Sequence, residues 1–241
     1  MTKTELQLRR AIIESCRFMN ASGLNQGTSG NISARLGERM LITPSATPYD
    51  RMTPEMIAAM PLADDSESWS GPLKPSTEWR FHRDILRAKS EAGAVVHAHS
   101  PFATTLAIAR RGIPPCHYMI AAFGGTDIRC AGYARYGTKA LSDLALAALE
   151  DRTGGLLANH GMIATGPTLE KALWLAVELE TIARQYYHAL LIGGPALLSA
   201  AEIAEVREGF AGYGIEDAAA PKPAKPGKRA PRKTAADRRS S

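Results

Sequence analysis

Gly93-Ala94-Val95-Val96-His97-Ala98-His99-Ser100 is the stretch on which the reading of this chain turns. A small, β-branched apolar run leads into two imidazoles two residues apart. In an extended strand, residues i and i+2 share a face, so His97 and His99 converge on one point. Two unpaired imidazoles on one face of an apolar strand are costly to bury, and a shared metal ion satisfies both. A third imidazole follows in Leu156-Leu157-Ala158-Asn159-His160-Gly161, a second short apolar run ending at a glycine. Glu78 follows Pro75-Ser76-Thr77 and opens a helical pattern. Three neutral imidazoles and one carboxylate suit zinc, with one position exchangeable. If His97, His99, His160 and Glu78 meet, the chain performs Lewis-acid chemistry.

Outward from this core, the 241 residues suit a layered α/β architecture. The net charge of +5 is unevenly placed: residues 218–241 hold eight Lys/Arg against one Asp, a net +7, so the remainder carries −2. The basic balance therefore belongs to the tail, and no nucleic-acid partner is expected for the domain. Cys16, Cys116 and Cys130 are widely spaced and odd in number, which reads as reduced thiols, packed as small hydrophobes, in a cytoplasmic protein. The N-terminus lacks a signal-peptide pattern, and no run is apolar enough to suggest a membrane partner. Residues 1–217 read as one catalytic domain, and 218–241 as a disordered Pro/Lys/Arg/Ala-rich tail.

The periodicity predicts helices over 4–20 (capped by Thr4), 76–90, 101–109, 138–149 and 168–191. Strands are predicted over 32–35, 40–43, 95–99, 156–158 and 162–165. Residues 113–125 read as extended segments joined by turns. Three segments present hydroxyls and backbone N–H groups beside turns or a helix start: Gln26–Asn31, Thr43–Ala46 and Pro75–Glu78. Together they suit a small phosphate pocket. None carries a nucleotide-binding fingerprint. His82 reads as a residue of a surface helix face, and His117 and His188 have no partners by spacing.

The chain resembles the class II aldolase/adducin family, nearest its L-fuculose-phosphate aldolase branch. The likeness runs from about Leu6 to Glu216. It rests on Gly23-Leu24-Asn25-Gln26-Gly27-Thr28-Ser29-Gly30-Asn31, Leu41-Ile42-Thr43-Pro44, Ser76-Thr77-Glu78-Trp79-Arg80-Phe81-His82, Val95-Val96-His97-Ala98-His99, Ile113–Ala122, Asn159-His160-Gly161 and Leu169–Trp174. The resemblance implies a three-layer α/β/α sandwich around a largely antiparallel sheet. It implies one Zn2+ per subunit on Glu78, His97, His99 and His160, and a phosphate pocket of Thr28, Asn31, Ser45, Ser76 and Thr77. It assigns catalytic roles to Glu78, to Tyr118 reaching in from a neighbouring subunit, and to Tyr213 on the C-terminal segment. The implied assembly is a homotetramer with sites between subunits. The implied reaction is retro-aldol cleavage of a ketose 1-phosphate (L-fuculose, 5-deoxyribulose or 5-methylthioribulose 1-phosphate) to dihydroxyacetone phosphate and an aldehyde. Alternatives within the family are a methylthioribulose-1-phosphate dehydratase, a pentulose-phosphate 4-epimerase and a non-catalytic adducin-like interaction module. The chain departs from the branch at Ala46, where a glycine is expected, at Thr77 for serine, and at Ser100-Pro101-Phe102.

Overall fold

A computed structural model of the protein describes residues 1–63 and 65–210. Seven strands form a single sheet: β1 (Asn31–Leu36), β2 (Arg39–Ile42), β3 (Ala58–Pro61), β4 (Ala94–Ala98), β5 (Arg129–Ala131), β6 (Gly154–Leu157) and β7 (Gly161–Gly166). Their order is β3-β2-β1-β4-β7-β6-β5, antiparallel except for the β5–β6 pair. The strand that carries His97 and leads into His99 is therefore central, hydrogen-bonded on both edges. Its alternating side chains face two separate cores.

One face, with Val96 of β4, Ile32 of β1 and Met162 of β7, packs on α1 (Lys3–Ala21), α3 (Pro101–Ile108) and α5 (Leu169–Leu191). The other, with Val95, Ile42 and Ile163, packs on Phe81, Ile85 and Leu86 of α2 (Trp79–Ala88) and on Leu141 and Ala145 of α4 (Lys139–Ala148). This is the expected three-layer α/β/α sandwich.

Caps set several boundaries. Thr138 and Thr168, where two of the predicted helices begin, accept from the backbone N–H of Leu141 and Lys171. The first helix starts earlier than expected, with Thr2 rather than Thr4 as its cap. A sixth helix among the described residues, α6 (Ala200–Gly209), opens on a Ser199/Glu202 capping box that the sequence reading passed over. Residues 118–123 form a 3-10 turn rather than an extended segment, stopped by Gly124 at φ 90°. The start of α3 is capped from a distance: the backbone N–H groups of Phe102 and Ala103 each donate to a Glu180 carboxylate oxygen on α5, both at 2.8 Å.

Cys16 is buried, and Cys116 and Cys130 are half-buried; all three are free thiols. No helix among the described residues is long and apolar enough to cross a membrane. The predicted tail and Tyr213 lie outside the described residues.

Candidate metal centre

His97 pairs across the sheet with Asn31 on one side and Ile163 on the other, and shares its face with Val95. The ring therefore points toward α2, where Phe81 meets it edge-on at 5.4 Å. Its Nδ1 lies 2.8 Å from the Met162 carbonyl oxygen. A carbonyl only accepts, so Nδ1 carries the proton and Nε2 presents a lone pair. His99 follows one residue beyond the strand end, its backbone N–H donating to Asn25 Oδ1 at 3.2 Å. His160 rides the β6–β7 turn, which Asn159 makes by adopting φ 56°.

Glu78 stands one residue before α2, at the N-cap position, rather than inside the first turn. Two of the three anion-type segments meet beside it. Ser45 N–H donates to Lys74 O at 3.0 Å and Ser76 N–H to Thr43 O at 2.9 Å, tying residues 43–45 to 74–76.

The four side chains converge. His97 Nε2 and His99 Nε2 are 3.1 Å apart, His160 Nε2 is 2.9 Å from Glu78 Oε1, and His97 Nε2 is 3.3 Å from Glu78 Oε2. The ligand atoms of the three imidazoles all lie within 4.8 Å of one another. A tetrahedral ion with metal–nitrogen bonds near 2.1 Å has ligand–ligand edges of about 3.4 Å, comparable to these separations.

Burial pushes the Glu78 carboxyl upward, but attraction to His97 and His160 and the amide of Asn31 outweigh it and hold the group well below the usual carboxylate range. Burial pushes the fully enclosed His97 down to about 3 and lowers His99 as well. The centre thus sets a carboxylate beside two imidazoles, His97 and His99, that burial holds toward the neutral form. Despite the approach of His160, Glu78 Oε1 is buried without an aligned hydrogen bond. An acceptor left this way, beside imidazole lone pairs, fits a divalent cation of the zinc kind.

A cavity of about 380 Å³ opens over the cluster, lined by Glu78, His99 and His160 together with Thr28, Asn31, Ser45, Ser76 and Thr77. All five residues of the predicted phosphate pocket therefore share one cavity with three of the four candidate ligands. Ala46 also lines it, at φ 50°.

Tyr118 does not line this cavity. It is 45% exposed and stacks with Phe210, ring centroids 6.4 Å apart. Sequence reasoning missed Tyr133 and Tyr136, which form part of the rim. The signal was the aromatic–glycine run Gly132-Tyr133-Ala134-Arg135-Tyr136-Gly137, whose last glycine (φ 74°) comes so close that an added Cβ would meet Thr77 O at 2.8 Å. His82, read as a surface residue, is fully buried. It belongs to the sheet-facing side of α2.

Fold and centre together define the class: a layered α/β enzyme with a three-histidine, one-glutamate cluster beside an anion-suited pocket. Residues 10–187 match the family model described as "Class II Aldolase and Adducin N-terminal domain", and the chain belongs to that family. A 5-methylthioribulose-1-phosphate/5-deoxyribulose-1-phosphate aldolase of Rhodospirillum rubrum is 48% identical over 223 residues, covering 92% of this chain and 99% of that protein. An L-fuculose phosphate aldolase of Escherichia coli K12 is 46% identical over 210 residues, covering 87% and 96%. Among solved structures, one described as L-fuculose 1-phosphate aldolase superposes with a TM-score of 0.82 at 33% identity, covering 87% of this chain and 98% of that one. The chain is accordingly a lyase of the aldolase type.

Proposed function

We propose that the protein cleaves a ketose 1-phosphate to dihydroxyacetone phosphate and an aldehyde. The observation that carries this is the meeting of His97, His99, His160 and Glu78, the last three lining a cavity whose other wall is Thr28, Asn31, Ser45, Ser76 and Thr77. One wall suits a cation and the other a phosphate, as a phosphorylated ketone requires. The names of the relatives point to the same chemistry, with L-fuculose, 5-deoxyribulose and 5-methylthioribulose 1-phosphates as the substrate set to try first.

His97, His99, His160 and Glu78 would hold the ion, with zinc the proposed metal. When bound, a divalent ion supplies Lewis-acid polarisation of the substrate ketone and stabilises the charge that develops as C3–C4 breaks, worth several kcal/mol of barrier. The hydroxyls and N–H groups of the opposite wall bind the phosphate and fix which carbon faces the cluster. The Glu78 carboxylate is the group placed to carry a proton at C3. The C4 hydroxyl proton needs a base, and Tyr118 serves in this reading. Tyr118 lies exposed and outside its own chain's cavity, which suits delivery into a neighbouring subunit's site in a homotetramer. Tyr213 is proposed as a second tyrosine for the same step. Free thiols and the absence of membrane-type helices among the described residues suit a cytoplasmic protein.

The test is a panel of fuculose, ribulose, rhamnulose, 5-deoxyribulose and methylthioribulose 1-phosphates with zinc-loaded protein, following release of dihydroxyacetone phosphate. Its appearance with at least one ketose, and its loss after exhaustive chelation, are expected. Loss of water without dihydroxyacetone phosphate would instead mark a dehydratase. Turnover indifferent to chelation would overturn the metal's role.

A further inference from the structure

Glu78, at the N-cap of α2, is followed one turn later by His82 on the helix face that meets the sheet. The facing strand β1 carries Asn31 and Ser33 on its matching face. Four helical residues rise about 6 Å, and two strand residues rise about 6.7 Å. The two elements therefore offer side chains at the same spacing, and they interleave into one line. Ser33 Oγ lies 2.8 Å from His82 Nδ1, His82 Nε2 lies 2.5 Å from Asn31 Oδ1, and Asn31 Nδ2 lies 2.8 Å from Glu78 Oε2. Ser33 and His82 are fully enclosed, and Asn31 and Glu78 are 4% and 5% exposed.

Only one set of donors satisfies this line. The Glu78 carboxylate accepts and cannot donate, so the Asn31 amide must turn its NH2 toward it. The Asn31 carbonyl then faces His82 and requires a donor there, so His82 carries its proton on Nε2. A neutral ring leaves Nδ1 as an acceptor, and the Ser33 hydroxyl donates to it. Flipping the Asn31 amide would set a carbonyl against a carboxylate at 2.8 Å, and a buried mismatch of that kind costs the full desolvation of both groups. The His82 ring is fixed further by stacking on Phe81, centroids 4.6 Å apart at 22°.

We infer that His82 is a positioning residue for the metal centre: with Ser33 it locks the Asn31 amide so that its NH2 fixes Glu78 Oε2. This rests on the reading of Glu78 as a metal ligand and proton carrier. It accounts for a buried histidine that does not line the cavity. It also gives Asn31 two duties, since the same residue lines the cavity's phosphate wall.

The first experiment uses the wild-type protein. Nitrogen chemical shifts of labelled histidine, assigned by difference from a His82→Gln sample, should show His82 neutral with its proton on Nε2. A proton on Nδ1 overturns the proposal, and this reading stands whichever variants fold. The second compares His82→Phe, which keeps volume and stacking but donates nothing, with His82→Gln, whose amide can donate to Asn31. His82→Phe should lose about 10- to 100-fold in zinc affinity, measured by competition with a chelator, the range typical of lost outer-shell partners. Its kcat at saturating zinc should also fall. His82→Gln should recover most of both at equal or lower melting temperature. Equal losses in the two variants, tracking only the melting temperature, would make His82 merely structural. Unchanged zinc affinity in His82→Phe would overturn the inference outright. Glu78→Gln separates this from the parent reading: full metal binding and turnover in that variant sinks the role of Glu78 itself, whereas a wrong His82 tautomer with Glu78 still essential sinks only the positioning chain.

Discussion

Replacing Gly161 with alanine should damage the metal centre without touching a ligand. Gly161 opens β7 directly after His160, and its φ is not in the left-handed region, so backbone strain is not the issue. Space is. A Cβ there would lie 2.6 Å from Ala98 O, 2.9 Å from His99 Cδ2 and 3.3 Å from His97 Cε1. Carbon–carbon contacts settle at about 3.5–4.0 Å, so the His99 ring would have to retreat by about 0.6 Å or more. The Ala98 carbonyl cannot give way easily, because β4 is paired on both edges. A metal site tolerates ligand displacements of only about 0.2 Å. Overpacking of this kind costs about 1–3 kcal/mol of stability, and zinc affinity should fall by about 10-fold or more, as for a disturbed ligand support. Gly155→Ala is the matched control. It also lies in a central strand, but its Cβ would find nothing nearer than 3.6 Å. Thermal unfolding, chelator competition and retro-aldol turnover on both variants make the assay. If Gly161→Ala bound zinc and turned over like the wild type, the close approach of β7 to the imidazoles would be wrong.

Three further outcomes follow from the same geometry. His97→Ala should abolish both metal retention and turnover, since His97 Nε2 lies within 3.3 Å of two other ligand side chains; metal analysis after gel filtration checks it, and full retention contradicts it. Ala46→Gly should leave stability unchanged or raise it by up to about 1.6 kcal/mol, because relieving a left-handed alanine (about 1–2 kcal/mol) exceeds or offsets the extra unfolded-state entropy of glycine (about 0.4–1 kcal/mol). A clear drop in melting temperature would refute the φ of 50° at that residue. The metal-free protein should lose stability as pH falls from about 6.5 toward 3: His82 and His97 are held down to about 3 by burial, so the unfolded chain takes up protons in that window while the folded one does not. Each such histidine contributes a slope of about 1.4 kcal/mol per pH unit, and His82→Phe should remove one share, measured by denaturant unfolding across that range.

The centre was legible because its strand announces itself. An unbroken apolar run with imidazoles at i and i+2 has few other readings, and Asn159-His160-Gly161 has the left-handed residue and the crowded glycine that its turn needs. The helix starts at Thr138 and Thr168 were equally direct. The edge strands β3 and β5 were not seen, since Ala58-Ala59-Met60-Pro61 and Arg129-Cys130-Ala131 lack β-branched alternation and owe their conformation to neighbours. His82 was misplaced because α2 is dense in arginine. Arg80, Arg83 and Arg87 suggest a solvated face, yet Arg83 itself is buried, its guanidinium 4.3 Å from the Trp79 ring. Polarity of the side chain was a poor guide where aromatic stacking and an enclosed relay absorb it. Tyr133 and Tyr136 reach the rim through a loop whose course no periodicity encodes.

The carboxylate of Glu180 grips the first turn of α3, two residues past His99, while the His99 amide is held from the other side by Asn25. The imidazole therefore sits on a short bridge moored at both banks by residues nearly the whole domain apart in sequence. A substitution such as Glu180→Ala lies far from the reacting atoms along the chain. It would still be felt as a slackened ligand, so a screen for lost metal should return mutations on the outer helix as well as in the cluster itself.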